Sequence, residues 1–292
     1  MTEELVVIRP PSEAYSFLLP VTIGCSHNQC AFCGSYKGIR FRILPLEETL
    51  SYIDQVAARH SNVVTRVFLE NGDALIIPQA QLLAVMEHLR EKFPRLERVG
   101  TYATPKSVLR KTPEELKELE QLGLKIAYLG VETGDEELLR KINKGVTRAQ
   151  MVTAGRKLKE AGIITSVTVI MGLGGVEQSE QHVRGTAQIL TEIDPDYAGA
   201  LTLNLHEDTP LYREWQEGKF TPLSPFQTLE ELRYVIAHAE FTDCFFTANH
   251  ASNYLPLKAH LPEQKEAVLR LLDGVIKDKD VSRLRPDWLR AL

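Results

Sequence analysis

Strand signals and helix signals alternate along this chain, and that alternation constrains the fold more than any other feature. Phe17 to Ile23 reads as a first strand. Leu46 to His60 reads as a helix, with Leu46, Leu50, Ile53, Val56 and Ala57 on one face. Val67 to Leu69 is a second strand, Gln79 to Phe93 a helix, and Val99 to Ala103 a third strand. Thr112-Pro113-Glu114-Glu115 has the form of an N-cap followed by proline at the first helical position, and Gly123 stops that helix after Leu122. Ile126 to Val131, Ile163 to Met171 and Ala200 to Leu205 supply three more strands. Helices over Asp135 to Ile142, Thr147 to Ala161 and Ser179 to Ile193 lie between them. Six strand–helix units in register imply parallel pairing with helices outside. Right-handed crossovers curl such a sheet into a barrel or partial barrel. The expected fold is α/β: a partial (βα)6 TIM-like barrel over residues 1–208, with a C-terminal extension at 209–292 capping the barrel mouth.

That extension is less regular. Leu211 to Gln216, Leu229 to Ala239 and Glu263 to Ile276 read as helices, Phe245 to Thr247 as a short extra strand, and Asn249 to Pro262 as a loop. Length and composition agree with a large globular core: 292 residues, 43% hydrophobic and 25% charged. The net charge of −5 gives no global basic field, so strong sequence-independent binding to nucleic acid is not expected. No run of about 18 apolar residues suggests a membrane span. Met1-Thr2-Glu3-Glu4-Leu5 carries two acids and does not resemble a secretory signal, so a cytoplasmic, thiol-reducing location is expected.

Four cysteines are present, and three of them, Cys25, Cys30 and Cys33, lie on one loop just after the first strand. In a reducing compartment such clustering points to metal or catalysis rather than disulfides. Thiolates are the usual protein hold on iron–sulfur clusters. Three of them around a four-iron cubane leave one iron open to a small ligand. The competing reading is a zinc site completed by His27 or Cys244. Other polar motifs also follow strands, the end where sites gather in these folds. They are Asn71-Gly72-Asp73, Gly130-Val131-Glu132-Thr133-Gly134, Gly172-Leu173-Gly174-Gly175 and Asn204-Leu205-His206-Glu207. The glycine-rich turn at Gly172 lacks a following Gly-Lys-Ser/Thr, which argues against a nucleotide triphosphatase.

The cysteine loop, with Phe32 immediately before its last cysteine, closely resembles that of the radical S-adenosylmethionine (SAM) superfamily. Its spacing of four residues and then two departs from the family's usual three and two. The stretch from Leu129 to Gly145 and the turn at Gly172 resemble further family motifs. Together with Arg9 to Ala14 and His250 to Lys258, the likeness covers nearly the whole chain and points to the branch related to oxygen-independent coproporphyrinogen oxidase-like and Elongator-like domains.

The resemblance implies a [4Fe–4S] cluster on Cys25, Cys30 and Cys33, in a loop at 24–34, with SAM bound beside it. It implies that Asn71, Gly72 and Asp73 receive the SAM amino group, Asp73 replacing the usual glutamate. Glu132 would meet the ribose or methionyl part, Arg156 the carboxylate, and Phe32 and Gly172 the adenine region, with Asn204 facing substrate or adenine. The basic segment Tyr36 to Arg42 would hold an anionic substrate, meet an electron donor, or lie in solvent. No catalytic residue is assigned; His206, Glu207, His250 and Cys244 are candidates, with Cys244 preferred as a core thiol. The expected activity is reductive SAM cleavage and hydrogen abstraction from a small or medium organic substrate, an anaerobic oxidoreductase chemistry fed by a flavodoxin or ferredoxin. The alternatives are SAM-dependent radical methyl or group transfer, and a non-enzymatic iron–sulfur or zinc protein that binds a partner.

Overall fold

A computed structural model describes residues 8–290; the N-terminal residues read above as lacking a secretory signal lie outside that range. The strands are β1 (Phe17–Pro20), β2 (Thr22–Ile23), β3 (Arg42–Ile43), β4 (Arg66–Glu70), β5 (Arg98–Ala103), β6 (Leu124–Glu132), β7 (Ile164–Met171), β8 (Tyr197–Thr202), β9 (Cys244–Thr247) and β10 (Lys258–Leu261). The helices are α1 (Leu46–His60), α2 (Gln79–Lys92), α3 (Pro105–Arg110), α4 (Pro113–Gln121), α5 (Glu136–Lys141), α6 (Arg148–Glu160), α7 (Ser179–Ile193), α8 (Pro210–Gln216), α9 (Pro225–His238) and α10 (Lys265–Asp278). Eight strands form one sheet in the order β1-β4-β5-β6-β7-β8-β9-β10, and β2 pairs with β3 in a separate antiparallel ribbon. The six expected strand–helix units are all present. No helix among the described residues is long and apolar enough to cross a membrane.

The chain divides into two compact units. The first comprises the residues up to Asn28, Ser35–Leu129 and Ala154–Thr165. Its strands β1, β4, β5 and β6 are parallel, with Leu19 opposite Leu69, Val67 opposite Val99 and Gly100 opposite Ile126. Val67, Phe68 and Leu69 are wholly buried, the continuous apolar run of a strand covered on both faces. Glu13 is buried as well; it pairs with Arg98 at 2.7 Å and accepts from the Tyr128 hydroxyl at 2.6 Å. This pairing ties the Arg9 to Ala14 segment to the sheet.

The second unit comprises Gln29–Gly34, Gly130–Thr153 and Ser166 onward. Here β7, β8 and β9 are parallel, with Val167 opposite Ala198 and Ala198 opposite Phe246, and β10 closes the edge antiparallel to β9.

The sixth strand runs over Tyr197–Thr202 rather than Ala200 to Leu205, and four further differences from the sequence reading each have a local reason. The first strand splits at Val21 because Pro20 has no amide hydrogen to donate to a ladder. Residues 258–261, read as loop, form β10, where Ala259 and Leu261 are buried and Lys258 and His260 are exposed. Helix α3 was missed; Thr104 and Ser107 form a capping box that starts it, with Pro105 in its first turn. Helix α9 begins at Pro225, before the expected Leu229, because Ser224 and Gln227 form another capping box. Replacing Ser224 with alanine is expected to cost about 1 kcal/mol, read as a lowered urea midpoint with an unchanged slope.

Candidate cofactor site

In the first unit, the start of the cysteine loop is built by glycines and one buried carboxylate. Gly24 has φ +76°, a left-handed turn that glycine adopts without steric cost, and it delivers the chain to Cys25. The Gly72 amide donates to the Gly24 carbonyl at 3.0 Å. A Cβ on Gly72 would lie 2.7 Å from the Cys25 Cβ and 3.1 Å from its Sγ, so any side chain there would displace the cysteine. Asn71, at φ +73°, makes the turn that brings Gly72 into this position.

Asp73 is fully buried. Its carboxylate accepts from the Ser26 hydroxyl at 2.5 Å, the Thr104 hydroxyl at 3.0 Å and the Thr104 amide at 3.4 Å. Burial raises its pKa despite these donors. The acid braces the residue after Cys25 against the start of α3. His27, the proposed zinc ligand, directs Nδ1 to Lys106 Nζ at 3.2 Å. Arg156 is exposed on α6, and Arg40 and Arg42 of the basic segment are exposed as well.

In the second unit, the rest of the loop is pinned from both sides. The Ala31 amide donates to the Ile142 carbonyl at 2.8 Å, and the Leu211 amide donates to the Ala31 carbonyl at 3.0 Å. These bonds fix the backbone between Cys30 and Cys33. Phe32 packs on an apolar cluster that includes Leu138, Ile142, Ile170 and Phe220. Gly34 leaves room for His206, whose Cβ would lie 3.1 Å from a Cβ at that position. The His206 Nε2 is buried without a hydrogen-bond partner, and Glu207 is exposed.

Glu132 ends β6 with φ +66°, strained for a residue with a side chain. Its Oε1 pairs with Lys144 Nζ at 2.7 Å, and both side chains are nearly buried. Burial pulls the Lys144 pKa down, but the charge of Glu132, its hydrogen bond, and the charges of Cys30 and Cys33 raise it overall. A buried ammonium therefore stands in the field of two of the cluster-loop thiols. The sequence reading missed this lysine's role, although Lys144 lay inside the Leu129 to Gly145 motif.

The Gly172 turn has a support that was also missed. Its amide donates to Glu231 Oε2 at 2.6 Å, and the Ser179 hydroxyl donates to Glu231 Oε1 at 2.7 Å. Burial pushes the Glu231 pKa up to about 7. The signal was present in α9, where Glu231 shares the buried stripe of Thr228, Leu232 and Val235.

Asn204 turns its Oδ1 to Arg290, which donates to it at 2.7 Å and to the Leu203 carbonyl at 2.9 Å. His250 contacts the Ser252 hydroxyl at 3.0 Å, and burial together with the Arg285 charge lowers its pKa. The Ser252 hydroxyl in turn accepts from the Thr202 amide at the end of β8. Cys244 is wholly buried in β9, a core thiol.

The superfamily described as "Radical SAM superfamily" matches residues 19–187, more than half of the chain and the whole cysteine loop. The chain belongs to the radical SAM superfamily. Members of this superfamily are enzymes that use a [4Fe–4S] cluster and SAM. Among curated relatives, 4′-phospho-dehydrooxetanocin synthase of Priestia megaterium is 27% identical over 60% of this chain and 27% of its own length. Heme chaperone HemW of Bacillus subtilis is 21% identical over 67% of this chain and 52% of its own. The chain thus spans about a quarter to a half of these relatives. Coproporphyrinogen III oxidase (HemN) from Escherichia coli shares the fold, with a TM-score of 0.57 and 20% identity over 76% of this chain and 51% of that one.

Thiolates are the donor type that an iron–sulfur cluster takes. Cys25, Cys30 and Cys33 form no disulfide and are partly exposed, whereas Cys244 is buried. Glycine leaves the space beside Cys25 clear, and Lys144 supplies positive charge toward Cys30 and Cys33. Of the two candidate fourth ligands of the zinc reading, His27 contacts Lys106 and Cys244 is buried in β9.

Proposed function

We propose that Cys25, Cys30 and Cys33 hold a [4Fe–4S] cluster, and that this enzyme uses it with SAM to take a hydrogen atom from a small or medium organic substrate. The observation that carries this reading is the three-cysteine loop, anchored through Ala31 and inside the matched superfamily stretch. Bound there, the cluster and SAM supply a one-electron cleavage that yields methionine and a 5′-deoxyadenosyl radical.

The chain's own residues supply position and charge. Gly72 and Asn71 leave backbone carbonyls at the strand end for the SAM ammonium. Glu132, held by Lys144, offers its second oxygen to ribose hydroxyls. The Gly172 turn, held by Glu231, and Phe32 flank the adenine. Asn204, with its carbonyl oxygen taken by Arg290, presents its NH2 as a donor. Arg156 is the proposed mate of the SAM carboxylate, which a guanidinium fork suits. His206 and His250 are the proposed polar groups toward substrate. A flavodoxin or ferredoxin is the proposed electron donor.

The test is anaerobic. The protein is reconstituted with iron and sulfide, reduced with dithionite and given SAM, and 5′-deoxyadenosine is assayed by mass. The parent is expected to form it, and Cys30→Ala to form none. S-adenosylhomocysteine as the main product would favour group transfer instead. A protein that takes up neither cluster nor SAM would overturn the proposal.

A further inference from the structure

Glu70 ends β4, two residues before Gly72, and is only 9% exposed. Among the described residues its carboxylate has no hydrogen bond and no ion pair; the charge acting on it is that of Arg9, whose residue is exposed. This is an unusual condition. Buried carboxylates are almost always paired, because burial strips away the water that stabilises their charge. Asp73, three residues later, illustrates the rule with three protein donors. Glu70 does not follow it, and burial raises its pKa, an effect that Arg9 only partly offsets.

The surroundings say what would complete the site. Strand alternation puts Glu70 on the same face as Phe68, whose ring meets Tyr102 at 5.1 Å and Tyr128 at 5.9 Å, both edge to face. An aromatic floor thus leads to one carboxylate at the strand end. The same strand end is tied to the cysteine loop by the bond from the Gly72 amide to the Gly24 carbonyl. Aromatic faces and a lone carboxylate both favour a cation, and an ammonium brings the donors that this carboxylate lacks.

We propose that Glu70 is a binding site for a protonated amine of the ligand at this strand end. This deepens the radical SAM reading and rests on it for the identity of that ligand, an amine-bearing substrate distinct from SAM. Asp73 already accepts from Ser26 and Thr104, whereas Glu70 accepts from no donor among the described residues.

The test is equilibrium dialysis of the anaerobically reconstituted protein against n-butylamine, with n-butanol and butyrate as neutral and anionic controls. SAM affinity is measured in parallel on the parent, Glu70→Gln and Glu70→Asp. The parent is expected to prefer the amine by about tenfold or more, Glu70→Gln to lose that preference, and Glu70→Asp to keep part of it. An unchanged SAM affinity in Glu70→Gln would assign the ammonium to the substrate. A roughly tenfold loss of SAM affinity, with butylamine competing against SAM, would overturn the proposal, because the ammonium held there would be that of SAM. Gln matches Glu in shape and removes an unpaired charge, so the melting temperature is expected to hold. The proposal is also overturned if butylamine binds the parent no better than butanol, or if Glu70→Gln simply melts earlier. The readout is binding, so a parent that forms no 5′-deoxyadenosine would sink the radical reading and leave this result standing.

Discussion

Replacing Lys144 with methionine is expected to destabilise the protein by about 3–5 kcal/mol, the usual effect of breaking one half of a buried ion pair. The partner left behind is Glu132, whose side chain is 11% exposed and whose backbone is already strained. Methionine fills most of the space but offers no charge, so Glu132 must take up a proton or draw in water. The double variant Lys144→Met/Glu132→Gln removes both charges and is expected to recover most of the loss. Urea unfolding of the three variants measures this. The sign with pH follows from the raised Lys144 pKa. Its contribution is complete below the unfolded value near about 10.4 and is lost only as pH rises through the folded one. The penalty should therefore be equal at pH 7 and pH 9. The same lysine faces Cys30 and Cys33, so the variant should also hold a reconstituted cluster less well, read as iron per chain.

Asp73→Ala is expected to cost about 1–3 kcal/mol by a different route. It strands the Ser26 hydroxyl, at about 1–3 kcal/mol for a buried group left unmade, whereas the Thr104 hydroxyl and amide keep the Ser107 hydroxyl as a partner. Asp73→Asn keeps one acceptor oxygen, and the two hydroxyls can rotate to accept from its NH2, so about half of that cost is expected. Ser26 follows Cys25 directly. Iron retention should therefore fall in step with stability across the pair, Ala below Asn below the parent. Equal iron content in all three would mean that the brace serves the fold but not the cysteine loop.

What the sequence made legible follows from the range of each interaction. The β4 run Val67-Phe68-Leu69 and the amphipathic α1 stripe are local patterns, and both elements formed where expected. The cysteine loop was legible because spacing alone constrains three thiols on one turn. Capping boxes are local too, but Thr104 and Ser224 precede helices whose apolar stripe starts late, so α3 and the first turn of α9 were missed. The supports of the site were harder to read. Asp73 carried the expected motif position, yet its partners Ser26 and Thr104 lie 47 and 31 residues away. Glu231 reaches Gly172 across 59 positions, and Arg290 reaches Asn204 across 86. Nothing in local periodicity marks such pairs. Burial of a charged residue on an apolar stripe, as at Glu231, is the one cue that sequence does carry.

The central claim is that three thiolates hold a four-iron cluster with one iron left for SAM. Electron paramagnetic resonance of the dithionite-reduced, reconstituted protein tests it most directly, recorded with and without SAM. The account predicts a reduced four-iron signal whose shape changes when SAM is added. A four-iron signal that SAM leaves untouched, at SAM concentrations shown to saturate the protein, would contradict it.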